Sequence, residues 1–199
     1  MTLAATFQSS SLSGRQATLE VALATRRLRI RSMRRDDVAR IYEVNRSLNP
    51  KYLSAPALDA EGLEELRQQF EAEWLLTGLG YLMVCRKDDD ASVGHVRLKW
   101  IPDCASGRAA ELTYAVAPLF QGEGYATEAV AAVLRFAFEE AGLDYVVACV
   151  EPDNIASVRV VEKNGMVPVA EGRVHHRHMR RYLVPASMWR AQQRALMRS

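Results

Sequence analysis

The segment Gln121-Gly122-Glu123-Gly124-Tyr125-Ala126 is the part of the chain best suited to hold a ligand. It sits between a run of strand character, Glu111–Ala117, and a helical run that begins near Gly124. A helix start offers backbone N–H groups without intrahelical partners and the positive end of the peptide dipole. Two glycines let the main chain turn tightly and approach a ligand. Together these features make a pyrophosphate cradle. Tight strand-to-helix turns also use glycine for geometry alone, so the loop by itself leaves both readings open. A dinucleotide-binding unit would need Gly-x-Gly-x-x-Gly early in the chain. Thr127 holds the third glycine position, and the loop follows several strands, although Glu151 ends the next strand at a suitable distance.

Other chemistry-bearing residues are sparser. Cys85, Cys104 and Cys149 match no zinc spacing and are odd in number, so they read as reduced thiols. Cys85 and Cys149 lie in apolar runs and read as small core residues. His175, His176 and His178 resemble a metal cluster, yet no cysteine or carboxylate joins them at a typical spacing, so no metal is expected. His95, inside a strand, reads as structural.

The elements that must position these residues follow from periodicity. In Arg27–Arg31, Leu28 and Ile30 alternate with arginine, which predicts a first core strand. Asp36 or Asp37 can cap a helix carrying Val38, Ile41 and Tyr42, and Asp59 can open another with Leu63, Leu66, Phe70 and Trp74 as its stripe. Tyr81–Arg86 and Val93–Ile101 predict a hairpin, and Glu111–Ala117 a fourth strand. A helix over about 124–141, a strand over Tyr145–Val150 and a helix over about 154–164 follow. Met166–Ala170 and Arg177–Val184 read as the last strands, before an amphipathic helix over about 185–197. The order predicts an α/β (α+β) fold: a single mixed, mostly antiparallel central sheet with helices on both faces. Residues 1–24 read as a poorly ordered tail, in which Leu19, Val21 and Leu23 alternate as a short strand would. Residues 25–199 read as one domain.

Composition narrows the function classes. The 199 residues are 49% apolar and 25% charged, ordinary for a chain that buries a core. No apolar run approaches the ~20 residues that span a bilayer, and the first residues do not read as an export signal, so a cytoplasmic, non-membrane protein is expected. The net charge is only +2. A nucleic-acid partner would rest on the arginine-rich stretches 26–35 and 173–198 alone, and solvated faces explain these better.

A second stretch, Glu151-Pro-Asp-Asn-Ile-Ala-Ser-Val-Arg-Val-Val-Glu-Lys-Asn-Gly-Met, adds specificity. With Gln121, Gly124 and Ala126, and with the flanks Glu111-Leu-Thr-Tyr-Ala-Val and Ala126-Thr-Glu-Ala-Val, it resembles the cofactor signature of the GNAT (GCN5-related N-acetyltransferase) family. The resemblance is closest to the branch of ribosomal-protein alanine N-acetyltransferases. It spans roughly residues 26–184 and is strongest over 111–166. It implies that the fourth and fifth core strands splay apart around the pantetheine arm of acetyl-coenzyme A. Val116 and its neighbours would then supply backbone partners. Gln121, Gly122, Gly124, Tyr125, Ala126 and Thr127 would form the pyrophosphate loop, and Asn154 would bond the pantetheine arm. Asn154 and Thr127 also serve as ordinary helix-start residues.

The implied reaction is attack of a neutral amine on a thioester. It needs a base for the ammonium proton and a proton for the leaving thiolate. Glu111 is the candidate base. Related enzymes carry a tyrosine seven residues after the asparagine; here that position is Val161, so Ser157 becomes the candidate proton donor. The expected acceptor is a primary amine, on a protein N-terminus, a peptide or a small molecule. A homodimer is left open. The alternative is a non-catalytic acyl-coenzyme A binding or sensing module on the same fold.

Overall fold

The computed structural model describes residues 20–48, 58–102, 107–174 and 177–197. Its strands are β1 (Ala22–Ala24), β2 (Leu28–Ser32), β3 (Tyr81–Arg86), β4 (Ser92–Ile101), β5 (Ala109–Val116), β6 (Tyr145–Val150), β7 (Val167–Val174) and β8 (Arg177–Pro185). Its helices are α1 (Asp37–Ser47), α2 (Ala60–Thr77), α3 (Tyr125–Glu139), α4 (Ile155–Lys163) and α5 (Ala186–Leu196). A 3-10 turn at Pro118–Phe120 precedes α3. The strands form one sheet in the order β1-β2-β3-β4-β5-β6-β8-β7. All neighbouring pairs are antiparallel except β5 and β6, which are joined by the α3 crossover and run parallel.

Strand alternation sorts the core onto two faces. On β3, Leu82 and Val84 join the larger cluster, with Val130 and Val133 of α3 and Trp189 of α5. Tyr81 and Met83 point the other way and pack with Val38, Ile41 and Phe70 from α1 and α2. Helices therefore cover both faces, as the order of elements predicts. Burying each such Val, Leu or Phe contributes about 1.5–3 kcal/mol. Trp74 closes the end of α2 by donating its ring N–H to the Tyr81 carbonyl at 3.2 Å.

Several local expectations change. Residues 22–24 form β1 and pair with β2, so the alternation at Val21 and Leu23 does yield a strand; residues 1–19 lie outside the described residues. Neither Asp36 nor Asp37 caps α1 through a side chain onto the helix. Asp37 instead accepts from the Arg34 backbone N–H at 2.7 Å and pairs with Arg31 at 2.6 Å. Asp59 does cap α2, accepting from the Gly62 N–H at 2.9 Å. Strand β7 continues to Val174 rather than ending at Ala170. Glu171, Gly172 and Arg173 carry no apolar alternation, and the ladder to β8 alone extends the strand. The arginine-rich stretch is largely neutralised in place: Arg27 pairs with Glu128, Arg29 with Asp90, Arg31 with Asp37, and Arg35 with Glu64 and Glu71.

His95 on β4 is 4% exposed and lies beneath α1. Its Nε2 meets Asn45 Oδ1 at 2.8 Å, its ring packs edge-on against Tyr81, and its Nδ1 is buried with no hydrogen-bond partner. Burial first, then the nearby Arg97 charge, lowers its pKa to about 3, so it is neutral in the fold. The unfolded chain takes up a proton at His95 below pH ~6.5, whereas the folded chain takes it up only near pH 3. Stability is therefore lost as pH falls through that window, by up to ~1.4 kcal/mol per pH unit. Urea unfolding at pH 7 and pH 5 should show His95→Gln losing about 2 kcal/mol less than the wild type between the two.

Candidate active site

The central feature is where β5 and β6 stop pairing. Their parallel ladder covers only Ala109↔Tyr145, Ala110↔Val146 and Glu111↔Val147. Beyond it, β5 continues paired to β4 alone as far as Val116, and β6 continues paired to β8 alone as far as Val150. A wedge opens between Leu112–Val116 and Ala148–Val150. Its β5 edge presents backbone groups that no strand occupies, and such groups demand partners. These are the fourth and fifth core strands of the sequence reading; β1 shifts their labels by one. The Val116 carbonyl is already engaged, accepting from the Gln121 side-chain amide at 3.0 Å. Gln121 thus ties the loop to the strand end.

The glycine loop lies just past the open end of β5. Gly122 has φ +84° and Gly124 φ +79°, a region that side-chain-bearing residues rarely adopt. Gly124 is the N-cap of α3, and no side chain caps that helix. The first-turn amides, from Tyr125 onward, are therefore left for an external acceptor. Tyr125 is 7% exposed, so its ring anchors the helix start in the core while its backbone stays at the turn.

Across the wedge stands the first turn of α4. Asn154 is its N-cap, and its Oδ1 accepts from the Ser157 N–H at 3.2 Å. This is the ordinary cap role, and it fixes Asn154 and Ser157 together. Tyr114, on the same face of β5 as Leu112 and Val116, donates its hydroxyl to the Ser157 carbonyl at 3.1 Å. That bond spans from β5 to α4. Burial pushes the Tyr114 pKa up to about 12, so the phenol keeps its proton. Sequence reasoning passed over Tyr114. The strand alternation that places it beside Leu112 and Val116 was the available signal. Val161 is fully buried and apolar, so that position holds no proton donor.

Glu111 lies on the opposite face, at the root of the wedge, since its neighbours Ala110 and Leu112 pack toward α3. Its cross-strand partner is Lys99 on β4, and its charge and hydrogen bonding reach Cys149 on β6. Burial first, then Glu111, raises the Cys149 pKa, which keeps that thiol protonated. The site residues thus divide. Asn154, Ser157 and the glycine loop belong to the α3 and α4 side, Glu111 to the α1 and α2 side, and the wedge connects them. His178 is exposed and lies 3.4 Å from Glu171, while His175, His176 and Cys104 lie outside the described residues. Among the described residues no group of His, Cys, Asp and Glu could hold a metal ion, and no helix is long and apolar enough to cross a membrane.

A model of the acetyltransferase (GNAT) domain matches residues 27–167. The uncharacterized N-acetyltransferase YnaD of Bacillus subtilis is 28% identical over 146 residues, spanning 72% of this chain and 81% of that protein. A solved acetyltransferase of the GNAT family from Bacillus anthracis superposes with a TM-score of 0.68 at 22% identity, over 84% of this chain and 99% of that one. A mutant of the spermidine N-acetyltransferase SpeG from Vibrio cholerae superposes with a TM-score of 0.68 at 21% identity, over 83% and 98% respectively. The two structural likenesses show the fold.

The bond across the wedge has a measurable worth. Tyr114→Phe removes the hydroxyl and its bond to the Ser157 carbonyl. It should destabilise the protein by about 1 kcal/mol, read as a lower urea midpoint at unchanged slope.

Proposed function

Since the chain belongs to the acetyltransferase (GNAT) domain family and is an acyltransferase, we propose that it moves an acetyl group from acetyl-coenzyme A to a primary amine within a ternary complex. The acceptor in this reading is a protein N-terminus or a small amine. The observation that carries it is the wedge between β5 and β6, with the uncapped glycine turn at its open end. The fit can be tested on these residues. The pantetheine arm carries amides able to pair with the open β5 edge. The pyrophosphate needs N–H donors and close backbone approach, which Gly122, Gly124, Tyr125, Ala126 and Thr127 offer. The acyltransferase unit in this reading is residues 25–199, with β1 adding an edge strand from the segment before it.

When bound, the donor supplies a thioester carbonyl. The chain's own residues supply position and proton movement. Glu111 takes the ammonium proton of the acceptor, directly or through one water, from the α1 and α2 side. Ser157 hydrogen-bonds the departing sulfur from the α4 side and passes it a proton that water returns to the serine, and Tyr114 holds that turn in place. Donor and acceptor then approach from opposite faces of the sheet and meet in the wedge, which favours direct transfer over an acyl-enzyme. Cys149 is held as a protonated thiol and Cys85 is buried, its thiol also shifted upward chiefly by burial, so neither is an activated nucleophile.

Coenzyme A at ~100 times its dissociation constant should stabilise the fold by about 2.7 kcal/mol, whereas NAD should do nothing comparable. A thermal-shift series in which neither coenzyme A nor acetyl-coenzyme A raises the midpoint at millimolar levels overturns the reading. For the chemistry, Glu111→Gln should lower turnover of an amine substrate by ~10²–10⁴-fold with little change in coenzyme A affinity. Initial-velocity kinetics should show a ternary complex. Ping-pong kinetics with a kinetically competent acetyl-cysteine, found by mass spectrometry after acetyl-coenzyme A alone, would exclude direct transfer.

A further inference from the structure

The glycine loop is held by more than the Gln121 tie to Val116. It is held from below by the turn that joins β1 to β2. The Arg27 side chain runs under Glu123–Tyr125: its Nη1 donates to the Glu123 carbonyl at 2.9 Å, and its guanidinium carbon lies 4.5 Å from the centre of the Tyr125 ring. Its Nη2 faces Gly124, 3.6 Å from where a Cβ on that residue would stand. Glu128, in the first turn of α3, fixes the guanidinium from behind by accepting from Arg27 Nε at 2.7 Å. The same carboxylate accepts from the Arg27 backbone N–H at 2.9 Å and from the Thr25 hydroxyl at 2.6 Å. Those partners hold the Glu128 pKa below its ordinary value against the effect of burial.

The turn that presents Arg27 is itself immobilised. Thr25 N–H donates to the Leu28 carbonyl and Leu28 N–H to the Thr25 hydroxyl, both at 2.9 Å. The Arg27 carbonyl accepts from the Lys87 N–H at 2.9 Å, and the Lys87 ammonium bonds the Thr25 carbonyl. One guanidinium therefore bonds the β1–β2 turn to both the glycine loop and the first turn of α3. Arginine suits this because its planar fork makes several directed bonds at once, which a lysine ammonium on a flexible stem does not. The cradle also contains a conflict that Arg27 resolves. Glu128 places a negative charge in the helix turn where phosphates would bind, and Arg27 neutralises it at contact distance.

We infer that Arg27 is a positioning residue for the cofactor: it holds the Glu123–Tyr125 loop in the shape that receives the pyrophosphate of coenzyme A. The inference rests on the proposed function and adds a residue outside the loop and outside the chemistry. Its effect falls on the pyrophosphate alone, because nothing in the clamp touches the wedge that would take the pantetheine arm.

The test is calorimetric titration of the full chain with coenzyme A and, separately, with pantetheine, which lacks the pyrophosphate. Arg27→Lys keeps the charge and loses the fork. It should weaken coenzyme A binding about tenfold and leave pantetheine binding unchanged. The double variant Arg27→Gln with Glu128→Gln removes both charges and keeps two hydrogen-bonding side chains, so it guards against misfolding caused by an unpaired Glu128. It should weaken coenzyme A binding to a similar extent. Far-UV circular dichroism confirms the fold in each case. A change below threefold for coenzyme A in either folded variant overturns the inference. An equal loss for pantetheine also overturns it, since that marks general loosening. If the wild type itself binds no coenzyme A, the proposed function falls first, and the two failures are thereby told apart.

Discussion

Everything else in the molecule depends on two parallel strands that part after three paired residues. A sheet normally continues its ladder, because each unpaired backbone group in the interior is costly. Here β5 and β6 separate after Glu111 and Val147, and each stays anchored on its far side: β5 to eight residues of β4, β6 to six residues of β8. The separation is thus imposed by two strong ladders that diverge. It is propped by the Tyr114 hydroxyl, which reaches the α4 turn across the opening. The two groups assigned to proton movement stand on opposite sides of this opening because strand alternation gives Glu111 one face and Tyr114, with the α4 turn it contacts, the other.

Several polar groups around the site are paired or keep their protons. Glu128 is clasped by Thr25 and Arg27, Cys149 keeps its proton, and Tyr114 keeps its own while bonded to a carbonyl. Some ion pairs elsewhere are surface contacts. Arg29–Asp90 and Arg40–Glu43 join side chains that are more than half exposed, where a pair contributes at most about 1 kcal/mol. Within the arginine-rich stretch that begins at Arg26, Arg27 is bound at Nε by Glu128 and at Nη1 by the Glu123 carbonyl.

Much of the fold was legible in the sequence because it is written in local period. The alternation of Leu28 and Ile30, the stripe of α3 and the hairpin of β3 and β4 each declare themselves within a few residues. The glycine loop was legible for the same reason: Gly122 and Gly124 do adopt the positive φ that their identity permits. Asn154 likewise declared itself as a cap. What escaped were long-range relations. Tyr114 meets Ser157 across 43 residues, and nothing in either local sequence names the other. Asp37 was read as a cap and serves chiefly as the partner of Arg31, because a carboxylate at a helix start looks the same in both roles. The length of β7 was underestimated because its last residues owe their strand state to β8.

The clamp beneath the glycine loop also has a history written into chain order. Arg27 and Glu128 are 101 residues apart, and the Thr25 contact to the same carboxylate spans 103. As a polypeptide leaves the ribosome, the β1–β2 turn emerges first and waits for most of the sheet before its carboxylate partner arrives. Closing so wide a loop costs entropy that only later contacts repay. The clamp can therefore close only once α3 has docked against the β1–β2 turn.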